Sequence, residues 1–528
     1  CGIEMPLVRS WWLGKKKGKE AYVVPRVVKD GSHPSGLRVT FEIGHDPHLA
    51  PAKGKDGTMS GRTGAVCVAC QAAVGMDHIK TEGQSGRMSA TLMAVVSEGD
   101  RRRIYLPPTT AHAVAARVGR PDDVPIQELG YDPRNLWTPP YGLSHFADLF
   151  TNRQLVALTT FSDLVGEARE RVVGDGGTDA YADAVATYLG IGISRAVDRH
   201  STICTWDASP SKEQVRGVFA RQAIPMAWDY AEANPYASSS GTWTESVDWV
   251  AKVLARIDSG PAGIARQEGA LAAASSPALI STDPPYYDNI GYSDLSDFFY
   301  VWLRRSLREV HPALFGTMLV PKTEELVANP YRHGGKEQAK GFFEDGFRQV
   351  FAKARQSALP DFPITVYYAF KQSESDAAGE ASSGWETLLE GMIRSGWAIT
   401  STWPIRSELS NRMISSGTNA LASSIVLSLR PRPDDAPTTD RRGFIAALEA
   451  ELPAALRELQ QGQIAPVDLP QAAIGPGMAV FSRYAGVLEP DGKKMTVRSA
   501  LSRINEILDQ VLNEQEGDFD TTTRFALA

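Results

Sequence analysis

The chain has 528 residues and a mass of 57.3 kDa, room for two to four domains at roughly 100–200 residues each. Hydrophobic residues at 43% and charged residues at 22% are ordinary for a folded protein, which excludes wholesale disorder, and no apolar run reaches the roughly eighteen residues of a membrane span. The net charge of −7 excludes a globally basic nucleic-acid coat, yet residues 1–120 hold 18 basic against 10 acidic side chains, a basic front on an acidic body. That front suits local polyanion binding, with a solvated charged face as the plain alternative. The opening Cys1-Gly-Ile-Glu-Met has no charged leader before an apolar stretch, so no secretory signal is read there and a reducing cytoplasm is expected. It also lacks an initiator Met, so the chain is expected to begin inside a longer reading frame.

Residues 1–107 are expected to be β-rich. Ala21–Val28 and Leu37–Ile43 suit short strands between turns rich in Gly, Lys and Asp, and Arg101–Leu106 suits a strand stopped by Pro107 and Pro108. Residues 108–270 change to helical spacing and form a candidate target-recognition insertion. Thr151 and Gln154 stand as a capping box before a helix running to Val172, Ala180–Val197 suits a second helix, and the pattern continues through Phe219–Glu232. From 271 to 432, strands at Pro277–Thr282, Ile364–Phe370, Trp397–Ile405 and Ser423–Arg430 alternate with helices near Asp294–Val310, Gln338–Gln356 and Trp385–Ser395. This predicts an α/β sheet of parallel strands, except that the last two, with no helix between them, are expected to be antiparallel neighbours. A Pro-, Asp- and Arg-rich linker at 431–442 leads into a C-terminal helical region, 433–528, with amphipathic helices at Arg442–Gln461 and Val497–Gln515.

The most informative stretch is Ser281-Thr-Asp283-Pro284-Pro285-Tyr286-Tyr287-Asp288-Asn289, directly after an apolar strand. Two consecutive prolines continue neither a helix nor a central strand. They fix a loop at the strand's carboxyl end, where open α/β sheets bind ligands. There the Asp283 carboxylate can accept one N–H of an exocyclic amine while a proline carbonyl, assigned to Pro284, accepts the other. Pro285 completes the turn, and the Tyr286 ring offers a platform for a base turned out of its duplex. A purely structural Asp-Pro-Pro turn is the competing reading.

Asp283-Pro284-Pro285-Tyr286 resembles motif IV of amino-methyltransferases that act on adenine N6 or cytosine N4. Further stretches, Pro6-Leu-Val-Arg-Ser-Trp-Trp-Leu, Phe219-Ala-Arg-Gln-Ala-Ile-Pro-Met-Ala-Trp-Asp, Pro330-Tyr-Arg-His-Gly-Gly-Lys-Glu and Thr418-Asn-Ala-Leu-Ala-Ser-Ser-Ile-Val-Leu, are similar to adenine-specific DNA methylases containing a zinc ribbon. The resemblance spans nearly the whole chain. It implies a class I, Rossmann-like methyltransferase sheet, S-adenosylmethionine as donor and DNA as partner, with adenine N6 the foremost acceptor. The implied setting is restriction or phage defence, beside other subunits of a defence system. It also implies a Gly-rich donor loop after the first strand. Gly190-Ile-Gly192 lies in a helical pattern and Gly475-Pro-Gly477 follows no strong strand, so neither suits that loop. The loop and first strands are expected upstream of Cys1, which leaves the sheet incomplete at its N-terminal half and the activity of this stretch alone in question.

Cys67-x-x-Cys70 supplies half of a tetrahedral thiolate site, and Cys1 before Gly2 resembles the second cysteine of another knuckle. Four thiolates at about 2.3 Å would close a structural zinc site; Cys1, Cys67 and Cys70 alone leave it incomplete. Incidental buried cysteines are the alternative, and Cys204 is read as a core residue. Lys15, Lys16, Lys17 and Lys19 would project from the metal-pinned hairpin toward phosphate. Tyr287, Asp288 and Asn289 extend the acceptor loop, and Asn411, Arg412, Thr418 and Asn419 are placed to line a nucleic-acid channel. Arg221, Gln222 and Asp229 are site candidates without a role, Asp297–Trp302 reads as a core helix, and His333 as a turn element or phosphate contact. Two rival functions stand beside methylation of DNA: a non-catalytic DNA-binding scaffold subunit, and an RNA amino-methyltransferase.

Overall fold

A computed structural model describes residues 1–528 apart from 53–55, 62, 101, 240, 259, 274–276, 288–289, 369–382, 406–423, 462–468 and 518–528. The chain forms two compact units, one from residues 1–265 with 291–323, the other from residues 266–290 with 324–528.

In the first unit, β1 (Trp12–Gly14), β2 (Ala21–Lys29) and β3 (Leu37–Gly44) make an antiparallel sheet in that order. It closes on Val8, Trp11, Val23 and Phe41, and leaves Lys15, Lys16, Lys17 and Lys19 exposed on the first turn. Hairpin β4 (Gly64–Val66) and β5 (Ala73–Gly75) precedes α1 (Met76–Gln84), and hairpin β6 (Val95–Gly99) and β7 (Arg102–Leu106) precedes α2 (Thr110–Ala115). Helices α3 (Asn152–Gly174) and α4 (Asp179–Val197) pack together. Thr151 caps α3 as its spacing predicts: its side chain accepts the Gln154 N–H, and the Gln154 side chain accepts the Thr151 N–H at 2.9 Å. Hairpin β8 (Thr205–Asp207) and β9 (Gln214–Arg216) and helix α5 (Trp243–Leu254) follow.

Phe219–Glu232 departs from the expected helix. After a 3-10 turn at Val218–Ala220 the chain is irregular, because the Ile224 backbone bonds to Asn135 and Trp137 and Pro225 has no N–H to donate. The chain then leaves the unit through α6 (Ala270–Ala273) and β10 (Ser281–Thr282) and returns for α7 (Tyr292–Leu307) and α8 (Pro312–Phe315). The aromatic stretch Asp297–Trp302 lies in α7 and is buried except at half-buried Phe299; Phe298 and Trp302 are fully covered and both rings meet Phe150.

The second unit adds α9 (Lys336–Ser357), β11 (Ile364–Tyr368), α10 (Ser383–Arg394), β12 (Trp397–Ile405), β13 (Ser424–Pro431), β14 (Thr438–Asp440), α11 (Arg441–Gln461), α12 (Leu469–Ser482), β15 (Gly486–Leu488) and α13 (Val497–Gly517). Its main sheet runs β10-β11-β13-β12. β10 and β11 are parallel, whereas β13 is antiparallel to both of its neighbours. The wholly parallel arrangement expected upstream of the last pair therefore reduces to one pair, because the chain turns back after β12 and lays β13 into the slot beside β11. Ile425–Leu429 is buried at every position, as a strand covered on both faces requires.

The 431–442 linker is tied down by β14, which pairs in parallel with β15. Phe343, Phe347 and Phe351 of α9 share a core with Leu388 and Leu389 of α10 and Phe444 and Leu448 of α11, so helices beyond residue 433 pack with the sheet rather than apart from it. Among the described residues no helix is long and apolar enough to cross a membrane.

Candidate active site and metal centre

β10 is short because Pro277 and Pro284-Pro285 bracket it and because, among the described residues, it is hydrogen-bonded on one side only, to β11. The expected strand at Pro277–Thr282 thus narrows to Ser281–Thr282 and a parallel bridge between Ala278 and Ala358. Leu279 is 60% exposed, an apolar residue on an open sheet edge.

The loop leaving β10 puts Asp283 at the surface and buries Pro284. The Tyr286 phenol donates to Asp283 Oδ1 at 3.0 Å, and Oδ2 has no partner among the described residues. The Tyr287 N–H donates to the Pro285 carbonyl at 3.1 Å, while the Pro284 carbonyl has no hydrogen-bond partner among the described residues. The corner therefore offers two unpaired acceptors on adjacent residues, and its prolines bring no N–H. A primary amine has two N–H donors to give, which matches that set. Tyr286 is half-buried, its ring edge-on to Tyr368 with centroids 5.3 Å apart.

Tyr287, expected at the substrate, sits half-buried with its ring edge against Phe343 at 5.0 Å, and its backbone φ is 50°. Asp288, Asn289, Asn411, Arg412, Thr418 and Asn419 lie outside the described residues. Asp229 acquires a role the sequence did not signal: its Oδ2 accepts the N–H groups of Arg9 and Ser10 at 3.2 and 3.1 Å. Burial pushes its carboxyl above the usual range, against those N–H groups that favour the charged form. His333 stacks on Phe342 at 4.0 Å, beside the Arg332–Glu325 ion pair. Arg221 and Gln222 are exposed.

Neither glycine pair forms a donor loop. Gly190 and Gly192 are buried inside α4, where a side chain at Gly190 would press on Leu307. Gly475 and Gly477 lie inside α12, where side chains would collide with Thr402 and Ile504. These are sites of close helix packing.

The sulfurs of Cys1, Cys67 and Cys70 all lie within 4.8 Å of one another. Hairpin β4–β5 presents the pair: Cys67 N–H bonds to Ala72 O, and Gln71, at φ 60°, turns the chain back after Cys70. Cys1 and Cys67 sulfurs are 3.7 Å apart, against the edge of about 3.8 Å that a tetrahedron with 2.3 Å zinc–sulfur bonds requires. The Ala72 N–H, and after it the Cys67 thiol, hold the Cys70 thiol below its usual range, in the direction of the thiolate that binds metal. Three thiols in this geometry fit zinc. Cys204 is fully buried beside Ser201, and burial pushes its thiol up to about 11, the behaviour of an inert core residue.

Comparisons with protein-family models, with curated proteins and with solved structures give no match for this chain.

Proposed function

We propose that this chain is the acceptor-binding part of a class I amino-methyltransferase that methylates an exocyclic amine of DNA, adenine N6 foremost. One observation carries the reading: two acceptors unpaired among the described residues, Asp283 Oδ2 and the Pro284 carbonyl, stand beside the Tyr286 ring on a loop at the carboxyl end of a parallel strand. Asp283 and Pro284 take the two N–H groups of the amine and turn its lone pair out of the base plane. Tyr286 stacks on the extruded base, and Asp283, open to water, accepts the proton the amine sheds. S-adenosylmethionine supplies a methyl group already bonded to a sulfonium leaving group, so orientation of the acceptor is the chain's main contribution.

The strand order supports the fold half of the proposal. Class I methyltransferase sheets end on a reversed last strand lodged between its two predecessors, and β13 lies between β11 and β12 in that manner. The open β10 edge with exposed Leu279 suits a sheet that further strands extend. No described residue is assigned to the donor. A structural zinc on Cys1, Cys67 and Cys70, and phosphate contacts from Lys15, Lys16, Lys17 and Lys19, belong to the same proposal.

The test, made on the full-length protein that carries the expected donor loop, is methyl incorporation from tritiated donor into duplex DNA and into structured RNA, with donor binding followed by calorimetry. Labelled DNA supports the reading. Labelled RNA alone moves the acceptor to RNA, and DNA binding without donor binding replaces the enzyme with a scaffold subunit of a defence complex.

A further inference from the structure

A bulky aromatic residue in the left-handed region is strained and persists only where its surroundings over-determine it. Tyr287, at φ 50°, is such a residue, immediately after the Asp-Pro-Pro-Tyr corner. Among the described residues, these contacts hold it. Its N–H donates to the Pro285 carbonyl at 3.1 Å, its carbonyl accepts the Ala328 N–H at 3.0 Å, and its ring meets the Phe343 ring edge-on. The last two contacts come from one continuous stretch, the loop at 325–335 and the helix α9 that follows it.

That loop is closed on itself. Glu325 Oε2 and Arg332 Nη1 are 2.6 Å apart, with side chains only 15% and 18% exposed. Between them Val327, Ala328 and Asn329 are buried, and the Asn329 carbonyl accepts the N–H groups of both Arg332 and His333. Gly334 (φ 74°) and Gly335 (φ 129°) supply the left-handed turn that only glycine makes cheaply, and the Gly335 N–H returns to the Pro330 carbonyl at 2.9 Å before α9 begins.

We infer that the 325–335 loop, clasped by Arg332 and Glu325, is the positioning element of the corner. By holding Tyr287 left-handed it keeps the Pro285 carbonyl occupied and leaves the Pro284 carbonyl as the acceptor beside Asp283. The inference rests on the amine-acceptor reading and gives a task to Pro330-Tyr-Arg-His-Gly-Gly-Lys-Glu, a stretch that no step of methyl transfer uses. Arg332 and Glu325 act only through Tyr287 and are positioning residues, not catalytic ones.

The experiment is hydrogen exchange resolved to single amides on the full chain, wild type against Arg332→Gln, Glu325→Gln and the milder Arg332→Lys. Losing a buried, charged partner is expected to speed exchange at the Ala328 and Tyr287 amides by about tenfold, with the β11 amides Thr365–Tyr368 unchanged as a check on folding. Methyl transfer, measured alongside, is expected to lose kcat with little change in the KM for DNA. Unchanged exchange at Ala328 and Tyr287 in a folded variant overturns the clasp. Faster exchange with unaltered kcat overturns its positioning role. Absence of methyl transfer by the wild-type full-length protein, donor loop included, counts instead against the amine-acceptor reading, and the exchange data still decide whether the clasp exists.

Discussion

The phenol of Tyr286 donates a 3.0 Å hydrogen bond to Oδ1 of Asp283, across a turn in which neither intervening proline has an N–H to offer. One carboxylate oxygen is thereby fixed and the other is left to the acceptor. Tyr286→Phe keeps the ring and removes the tether, so kcat for methyl transfer is expected to fall by about ten- to a hundredfold, the worth of one hydrogen bond to a charged group, with DNA binding unchanged. Tyr286→Ala removes the ring as well. Affinity for DNA with an extrahelical base should then weaken by about 1–3 kcal/mol, measured by fluorescence of 2-aminopurine at the target position. Equal effects from both substitutions would argue against stacking.

Asp283 is exposed and, among the described residues, bonded only within its own turn, so replacing it leaves packing alone. Asp283→Ala is expected to cost at least about a hundredfold in kcat, as removal of one preorganised hydrogen-bonding group at a reacting centre does, with the melting temperature and the KM for DNA unaltered. A variant that turns over at the wild-type rate would remove Asp283 from the mechanism.

The Cys1, Cys67 and Cys70 cluster predicts zinc in the purified chain, released by thiol modification and scored with a colorimetric chelator. Cys67 is the buried member, so Cys67→Ser should lower zinc affinity by at least about a hundredfold, since loss of an outer-shell partner alone costs 10- to 100-fold. The β4–β5 hairpin, whose turn this cluster pins, should lose exchange protection first. Metal-free protein with full hairpin protection would show that the thiols have no structural metal to hold.

What could be read from the sequence was mostly local. Thr151 and Gln154 are three residues apart, and their reciprocal bonds involve no other part of the chain. Ile364, Val366 and Tyr368 alternate into the core within five residues. The antiparallel pairing of β12 with β13 was legible in the lack of a helix between them, but the contact of β13 with β11 was out of reach, because the run Ile425–Leu429 signals burial on both faces without naming a second neighbour. Around the corner, the order Asp-Pro-Pro-Tyr announces a rigid loop, but the left-handed backbone of Tyr287 is invisible in a residue type that rarely adopts it. Its support, the Ala328 N–H, is a backbone group and leaves no trace in composition. Asp229 is similar: its partners are the N–H groups of Arg9 and Ser10, more than two hundred positions away.

Acid sensitivity offers the last prediction. Asp207, at 8% exposure, closes the β8–β9 hairpin by accepting Arg216 Nη2 at 2.8 Å and the Ser209 N–H at 3.1 Å. Burial pushes its carboxyl up, but Arg216 and Ser209 together outweigh burial and hold it down to about 2, from an ordinary value of 3.8. A carboxyl whose folded value lies below its unfolded one stabilises the fold above the unfolded value, and that stabilisation is lost as pH falls toward the folded one. The hairpin should therefore weaken between about pH 4 and pH 2, by about 1–2 kcal/mol once screening at the partly exposed Arg216 is allowed for. Asp207→Asn should take away this part of the acid dependence while lowering stability at neutral pH by a similar amount, measured by denaturant melts at pH 3, 4, 5 and 7. Parallel stability curves for the variant and the wild type across that range would mean that the Arg216 pair contributes nothing to the fold.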